Sequence, residues 1–170
     1  MIIGKCIWLE KINLRYREIR ESDNAVIASL IRRTLKAYSL DIPGTAYYDE
    51  GLDRFSELYG RPDARYYVLE DDGGNVAGGI GFSAFENIEG AAELQKLYLD
   101  DSYTGSGTGY EMISYVEARM KEAGYKKSYL ETHDNLAAAI HIYIKSGYKE
   151  IERPSSVGHS SMNRFFIKEL

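Results

Sequence analysis

The segment Tyr103 to Met112, YTGSGTGYEM, sets glycines between hydroxyl residues and runs directly into a helical pattern. Glycine admits positive φ and lets the backbone approach a ligand closely. The free N–H groups of a helix N-terminus, with the helix dipole behind them, favour an anion. The chemistry suggested is retention of a phosphate; on this segment alone, a flexible turn before a helix is the alternative. Two other nucleotide-binding patterns fail. Gly79, Gly81 and Ala84 in GGIGFSA match G-x-G-x-x-A, but that fingerprint needs a helix to open inside the match, and FSAFENIEG offers none. These glycines read as strand positions where something packs close. TGSGTG is followed by no lysine, so it is not a P-loop and points away from ATP or GTP hydrolysis.

Strands and helices must hold such a loop in place. Ile12 to Arg20 alternates apolar and polar side chains at Ile12, Leu14 and Tyr16 before shifting to Ile19, as a half-buried strand does. In ESDNAVIASLIRRTLKAY, Ser22 or Asp23 can cap a helix that sets Ile27, Leu30, Ile31, Leu35 and Tyr38 on one face. Pro43, Gly44 and Gly51 break the pattern into an irregular loop, followed by a short helix around Leu52 to Tyr59. ARYYVLEDDGGNVAGGIGFSAF reads as two strands around the turn Asp71 to Asn75, and Ala91 to Asp101 as a third.

The helix after the glycine loop has Ile113, Val116 and Met120 inward and Gly124 as its stop. KKSYLETHD is a strand, NLAAAIHIYIKSG a helix ending at Gly147, and YKEIER and MNRFFIKEL close the chain. The order β α α β β β α β α β β combines a strand–helix–strand unit with hairpins. This is an α/β (α+β) chain with a mixed, mostly antiparallel central sheet flanked by helices. The glycine loop then lies at the carboxyl end of a strand, where ligands commonly sit.

At 170 residues the length suits one domain, read here as spanning residues 1–170. With 44% apolar and 28% charged residues, and no run near the roughly 18 apolar residues of a membrane span, no membrane partner is expected. Lys5, Glu10 and Lys11 interrupt the apolar N-terminal stretch and no cleavage pattern follows, so no export signal is read. The single Cys6 cannot form an internal disulfide, and His and Cys are too scattered for metal-ligand spacing. A reducing, cytoplasmic location without a metal is the expectation. The net charge of −5 argues against nucleic acid as a partner, since backbone binding rests on clustered Lys and Arg.

Over Glu93 to Ile151 the sequence resembles the core of the GNAT superfamily of acyl-CoA-dependent N-acetyltransferases, and the element order agrees over nearly the whole chain. The family's loop motif, (Gln/Arg)-x-x-Gly-x-(Gly/Ala), falls on Thr104, Gly107 and Gly109. NLAAAIHIYIKSGY resembles a second family pattern, with Asn135, Ala139, Ile140, Tyr143, Gly147 and Tyr148 in its places and one extra residue between Asn135 and Ala139. Thr104 departs from the motif: it has no long polar or cationic side chain, so the backbone N–H groups of Gly105 to Gly109 must do most of the phosphate holding.

The resemblance implies a GNAT-like fold and transfer of an acetyl group from acetyl-CoA to a primary amine by direct attack in a ternary complex. It places the pyrophosphate on Thr104, Gly105, Ser106, Gly107, Thr108 and Gly109, and makes Asn135 a further contact. Pantetheine would pair with the strand edge of Leu97, Tyr98 and Leu99, and an N–H near Leu97 would polarise the thioester. It makes Tyr143 the general acid and Glu93 the base, acting directly or through water. A core tyrosine and a solvated carboxylate are the plain structural alternatives.

His133 reads as a hydrogen-bonded loop residue or a proton relay, His159 as a border of the acceptor pocket, and His141 as structural. Cys6 is too remote from the motifs for a covalent route. The expected partner is a small amine or amino-acid-like acceptor, which Asp41, Asp49 and Glu50 could attract. Homodimers are common among such relatives. A non-catalytic acyl-CoA-binding regulatory module is the alternative function; it would keep the glycine cradle and lose the proton-handling groups.

Overall fold

The structure is a computed structural model and describes residues 13–155, 157 and 161–170. Among these, seven strands form one sheet: β1 (Leu14–Glu18), β2 (Ala64–Asp71), β3 (Val76–Phe85), β4 (Ala91–Leu99), β5 (Lys127–Thr132), β6 (Lys149–Ile151) and β7 (Arg164–Glu169). Their spatial order is β1-β2-β3-β4-β5-β7-β6. Every pairing is antiparallel except β4 with β5. Those two are joined through α3 (Thr108–Glu122), the crossover that parallel neighbours require. The remaining helices are α1 (Asn24–Ala37), α2 (Phe55–Leu58) and α4 (Ala137–Lys145).

The sheet is covered on both faces. On one, α3 buries Met112, Ile113, Val116 and Met120, and α4 buries Ile140 and Tyr143, against Leu69, Ile80, Leu94 and Phe166. On the other, α1 and α2 bury Ile27, Ile31, Leu35 and Phe55 against Tyr66 and Val68. Each fully buried aliphatic side chain contributes about 1.5–3 kcal/mol, so the two apolar stripes orient α1 and α3 on the sheet. The α1 stripe stops one residue class short of expectation: Tyr38 lies just past the helix and is 43% exposed. Nor does Asp23 cap α1 with its side chain. Its carboxylate accepts from the Arg20 amide at 2.8 Å and from Arg17 at 2.6 and 2.9 Å, because a preceding 3-10 turn turns it back toward β1.

Two features of β3 and β4 prepare the site. A Cβ on Gly79 or Gly81 would lie 2.5 or 2.6 Å from the Tyr66 ring, so these glycines make room for an aromatic ring laid across the strand. The Tyr66 hydroxyl reaches beyond them and donates to the Lys96 carbonyl at 3.0 Å. There the β3–β4 register shifts between Gly79 and Gly81, and Lys96 takes φ 54°, the local geometry of a bulge. Just before the bulge, β4 parts from β5. Parallel pairing covers only Ala91–Glu93 with Lys127–Tyr129, after which β5 continues on β7 and the edge of β4 from Leu94 to Leu99 is left without a strand beside it.

Candidate active site

The divergence of β4 and β5 opens a cavity of about 550 Å³. Its walls are β4 from Glu93 to Leu99, the end of β5 at Glu131 and Thr132, the start of α4 and the loop after α1; its far end is the glycine loop before α3. Gly105 and Gly107 have φ 83° and 86°, and Gly107 precedes the first turn of α3 with no side chain capping it. A Cβ on either would meet no described residue beyond its chain neighbours within 4 Å, so the loop needs glycine for its backbone path. Gly109 differs: its added Cβ would sit 3.0 Å from Ile142 Cδ1, where α3 runs close to α4. The loop is tied to the β2–β3 turn by Tyr103, whose hydroxyl donates to Asp71 at 2.8 Å. Hydrogen bonds from the Asn75 side chain and amide, then from Tyr103 and the Gly73 amide, hold the Asp71 carboxyl down to about 2.

Glu93 lies where the two strands part. Burial raises its carboxyl to about 7; the hydrogen bond from Gln95 opposes this, the nearby Glu131 adds to it, and Lys96 counteracts it. Gln95 Nε2 donates to Glu93 Oε2 at 2.6 Å, and the Tyr59 hydroxyl donates to Gln95 Oε1 at 2.9 Å. The chain of bonds fixes the carboxylate's orientation from behind. Burial also raises the Tyr59 hydroxyl, so Tyr59 remains a donor at neutral pH.

Tyr143, on α4, lines the same cavity with 6% exposure. Its hydroxyl has no hydrogen-bond partner among the described residues, yet it is not one of the sealed polar atoms; it meets the cavity. Burial alone raises its pKa, which keeps the phenol protonated.

Glu93, Leu97, Tyr98, Leu99, Thr104, Gly105, Gly107, Thr108, Gly109 and Tyr143 all line this one cavity. Two of the residues named from the sequence for catalysis or CoA binding do not. Ser106 Oγ is bonded to Thr108 Oγ1 at 2.8 Å, and Asn135 Nδ2 donates to the Tyr38 carbonyl at 2.9 Å, tying the β5–α4 loop to the end of α1. Of the early acidic residues, Asp49 lines the cavity and pairs with Lys96 at 2.7 Å, whereas Asp41 and Glu50 are exposed outside it. His133 Nδ1 accepts from the Asn135 amide at 3.1 Å as a loop residue, and His141 lies on the exposed face of α4. His159 and Cys6 fall outside the described residues.

Sequence reading missed Gln95, Tyr59 and Glu131. Strand parity offered a signal for two of them, since Gln95 alternates with Glu93 and Glu131 with Tyr129. Tyr59 gave none.

The acetyltransferase (GNAT) family model matches residues 30–148. An uncharacterised N-acetyltransferase of Escherichia coli, YjgM, is 31% identical over 91% of this chain and 93% of its own length. The chain belongs to the GNAT family. Its fold is that of solved GNAT structures. An acetyltransferase of this family from Staphylococcus aureus superposes with TM-score 0.82 at 22% identity, covering 92% of this chain and 99% of the other. PaiA N-acetyltransferase from Thermoplasma acidophilum, solved with coenzyme A, superposes with TM-score 0.72 at 18% identity, covering 94% and 100%. Family membership supports acyl transfer from CoA by this GNAT chain. No helix among the described residues is long and apolar enough to cross a membrane.

Proposed function

We propose that residues 1–170 act as one catalytic domain that moves an acetyl group from acetyl-CoA to a primary amine by direct attack in a ternary complex. The observation carrying this reading is that Glu93 from β4, Tyr143 from α4 and the glycine loop all line one cavity. The free N–H groups at the start of α3 and the left-handed turns of Gly105 and Gly107 suit a pyrophosphate. The open edge of β4 at Leu97, Tyr98 and Leu99 suits pantetheine as an added strand, with a backbone N–H there to polarise the thioester oxygen.

Glu93, with its carboxyl near 7, takes a proton from the incoming ammonium and leaves a lone pair on nitrogen. As the C–N bond forms and the C–S bond breaks, Tyr143 gives its proton to the departing sulfur. The phenoxide recovers a proton from the nitrogen, directly or through water, as that nitrogen becomes an amide. Of the two protons the ammonium loses, one ends on the thiol and the other leaves through Glu93. This assigns one carboxyl and one phenol to two tasks, according to whether burial leaves each one a base or an acid at neutral pH.

The test combines binding and turnover. Thermal unfolding with acetyl-CoA, CoA, ATP and NAD should show stabilisation by the CoA compounds alone, about 2.7 kcal/mol at 100 times Kd. Thiol release should require an amine. Stabilisation by CoA without thiol release across a broad amine panel would favour the non-catalytic acyl-CoA-binding module.

A further inference from the structure

The reaction as written uses Glu93 and leaves Glu131 unexplained. Glu131, next to the last residue of β5, lines the same cavity and is close enough to help raise the Glu93 carboxyl. Its Oε1 accepts from the Tyr129 hydroxyl at 3.2 Å, and no Lys or Arg among the described residues forms an ion pair with it. Among the described residues the lining contains one cation, Lys96, which is engaged with Asp49 at 2.7 Å. The acceptor end is therefore acidic beyond what proton removal requires. Tyr143, more than nine-tenths buried with an unpartnered hydroxyl on the same cavity, independently marks the space as one that holds a polar ligand.

Charge counted through the reaction decides what that ligand carries. An acceptor with a single amine arrives as an ammonium, yields its proton to Glu93 and becomes neutral. Glu93 is then neutral too, and the Glu131 carboxylate is left beneath a bound molecule with one phenol hydrogen bond. A carboxylate removed from water without a counter-charge is costly. A second cationic group on the acceptor removes that cost at every stage, whereas a carboxylate beside the reacting amine, as in an amino acid, worsens it. Resting on the amine-acceptor reading above, we infer that the acceptor is a diamine-class molecule whose reacting nitrogen meets Glu93 and whose second, cationic nitrogen is held by Glu131. Glu131 is thus a specificity-determining residue.

The experiment titrates 1,4-diaminobutane, n-butylamine and 4-aminobutyrate into the full chain, with and without CoA, for wild type and Glu131→Gln. The glutamine keeps an acceptor for Tyr129 and removes the charge. Wild type should bind the diamine at least tenfold more tightly than the monoamine, with 4-aminobutyrate weakest. In the variant the diamine-to-monoamine ratio should fall toward one, and where turnover occurs the change should lie in KM rather than kcat. Equal wild-type affinities, binding of none of the amines at millimolar concentration, or an unchanged ratio in Glu131→Gln would overturn the inference. If the variant does not fold, the wild-type ratio and its decline with added salt decide the matter alone. A chain that binds diamines selectively but not CoA would refute acetyl transfer while leaving Glu131's role standing.

Discussion

Glu93→Gln is expected to weaken the reaction and strengthen the fold. The Glu93 carboxyl is raised from 4.5 to about 7, first by burial and further by Glu131. Each factor of ten in proton affinity is worth about 1.4 kcal/mol, so holding the ionised form in the folded chain costs up to about 3 kcal/mol. The side chain still touches the cavity, and screening there lowers the figure to about 1–2 kcal/mol. Below the unfolded-chain value near 4.5, both states hold the proton and the two proteins should be equally stable. Between there and about 7 the folded state binds the proton more tightly, so wild-type stability falls as pH rises. Above about 7 the loss is complete.

Glutamine never ionises and retains an oxygen for the Gln95 amide to donate to. At pH 8 the variant should therefore unfold about 2–8 °C above wild type, with the difference vanishing near pH 4. Its kcat/KM should fall by about 10²–10⁴, and the rising limb expected of wild type, with a midpoint near 7, should be absent. Paired calorimetric scans at pH 4 and 8, with pH–rate profiles of both proteins, measure this. A variant no more stable than wild type at pH 8, or one that keeps the limb, would refute both the burial account of Glu93 and its role as base.

Three further outcomes follow from the same geometry. Tyr143→Phe removes a buried hydroxyl that bonds to no described residue, so stability should hold or rise slightly while turnover falls about 10²–10⁴-fold with CoA affinity intact; undiminished turnover would remove Tyr143 from the chemistry. Gly107→Ala forces a side chain to φ 86°, at about 1–2 kcal/mol, without touching another part of the chain. CoA affinity should drop more than thermal stability explains, and unchanged affinity in the folded variant would mean that the loop does not hold the phosphates. Gly79→Ala drives a methyl group into the Tyr66 ring and should cost about 1–3 kcal/mol in urea unfolding through that clash, whereas Gly105→Ala, which meets no neighbour but sits at φ 83°, should cost about 1–2 kcal/mol through backbone strain.

The periodic and the local were legible in the sequence. The inward face of α3 at Ile113, Val116 and Met120, the stops at Gly124 and Gly147, the Asp71–Asn75 turn and the glycine loop each follow from residues adjacent in the chain or one helical turn apart. The resemblance to the GNAT superfamily singled out Glu93 and Tyr143, and both line the same cavity. Tertiary structure decided the rest, because it depends on which strands become neighbours. Spacing alone could not have shown that β4 pairs with β5 for three residues and then parts from it, or that Tyr66 crosses two β3 glycines to meet the carbonyl at the Lys96 bulge. The same holds for the Tyr59–Gln95–Glu93 chain, whose first two members are 36 residues apart. Asp23, a natural cap by type and position, was drawn to Arg17 by a partner on another element. Residue types set which groups could ionise; only the burial and pairing that came with folding set Glu93 near neutrality and left Glu131 facing it.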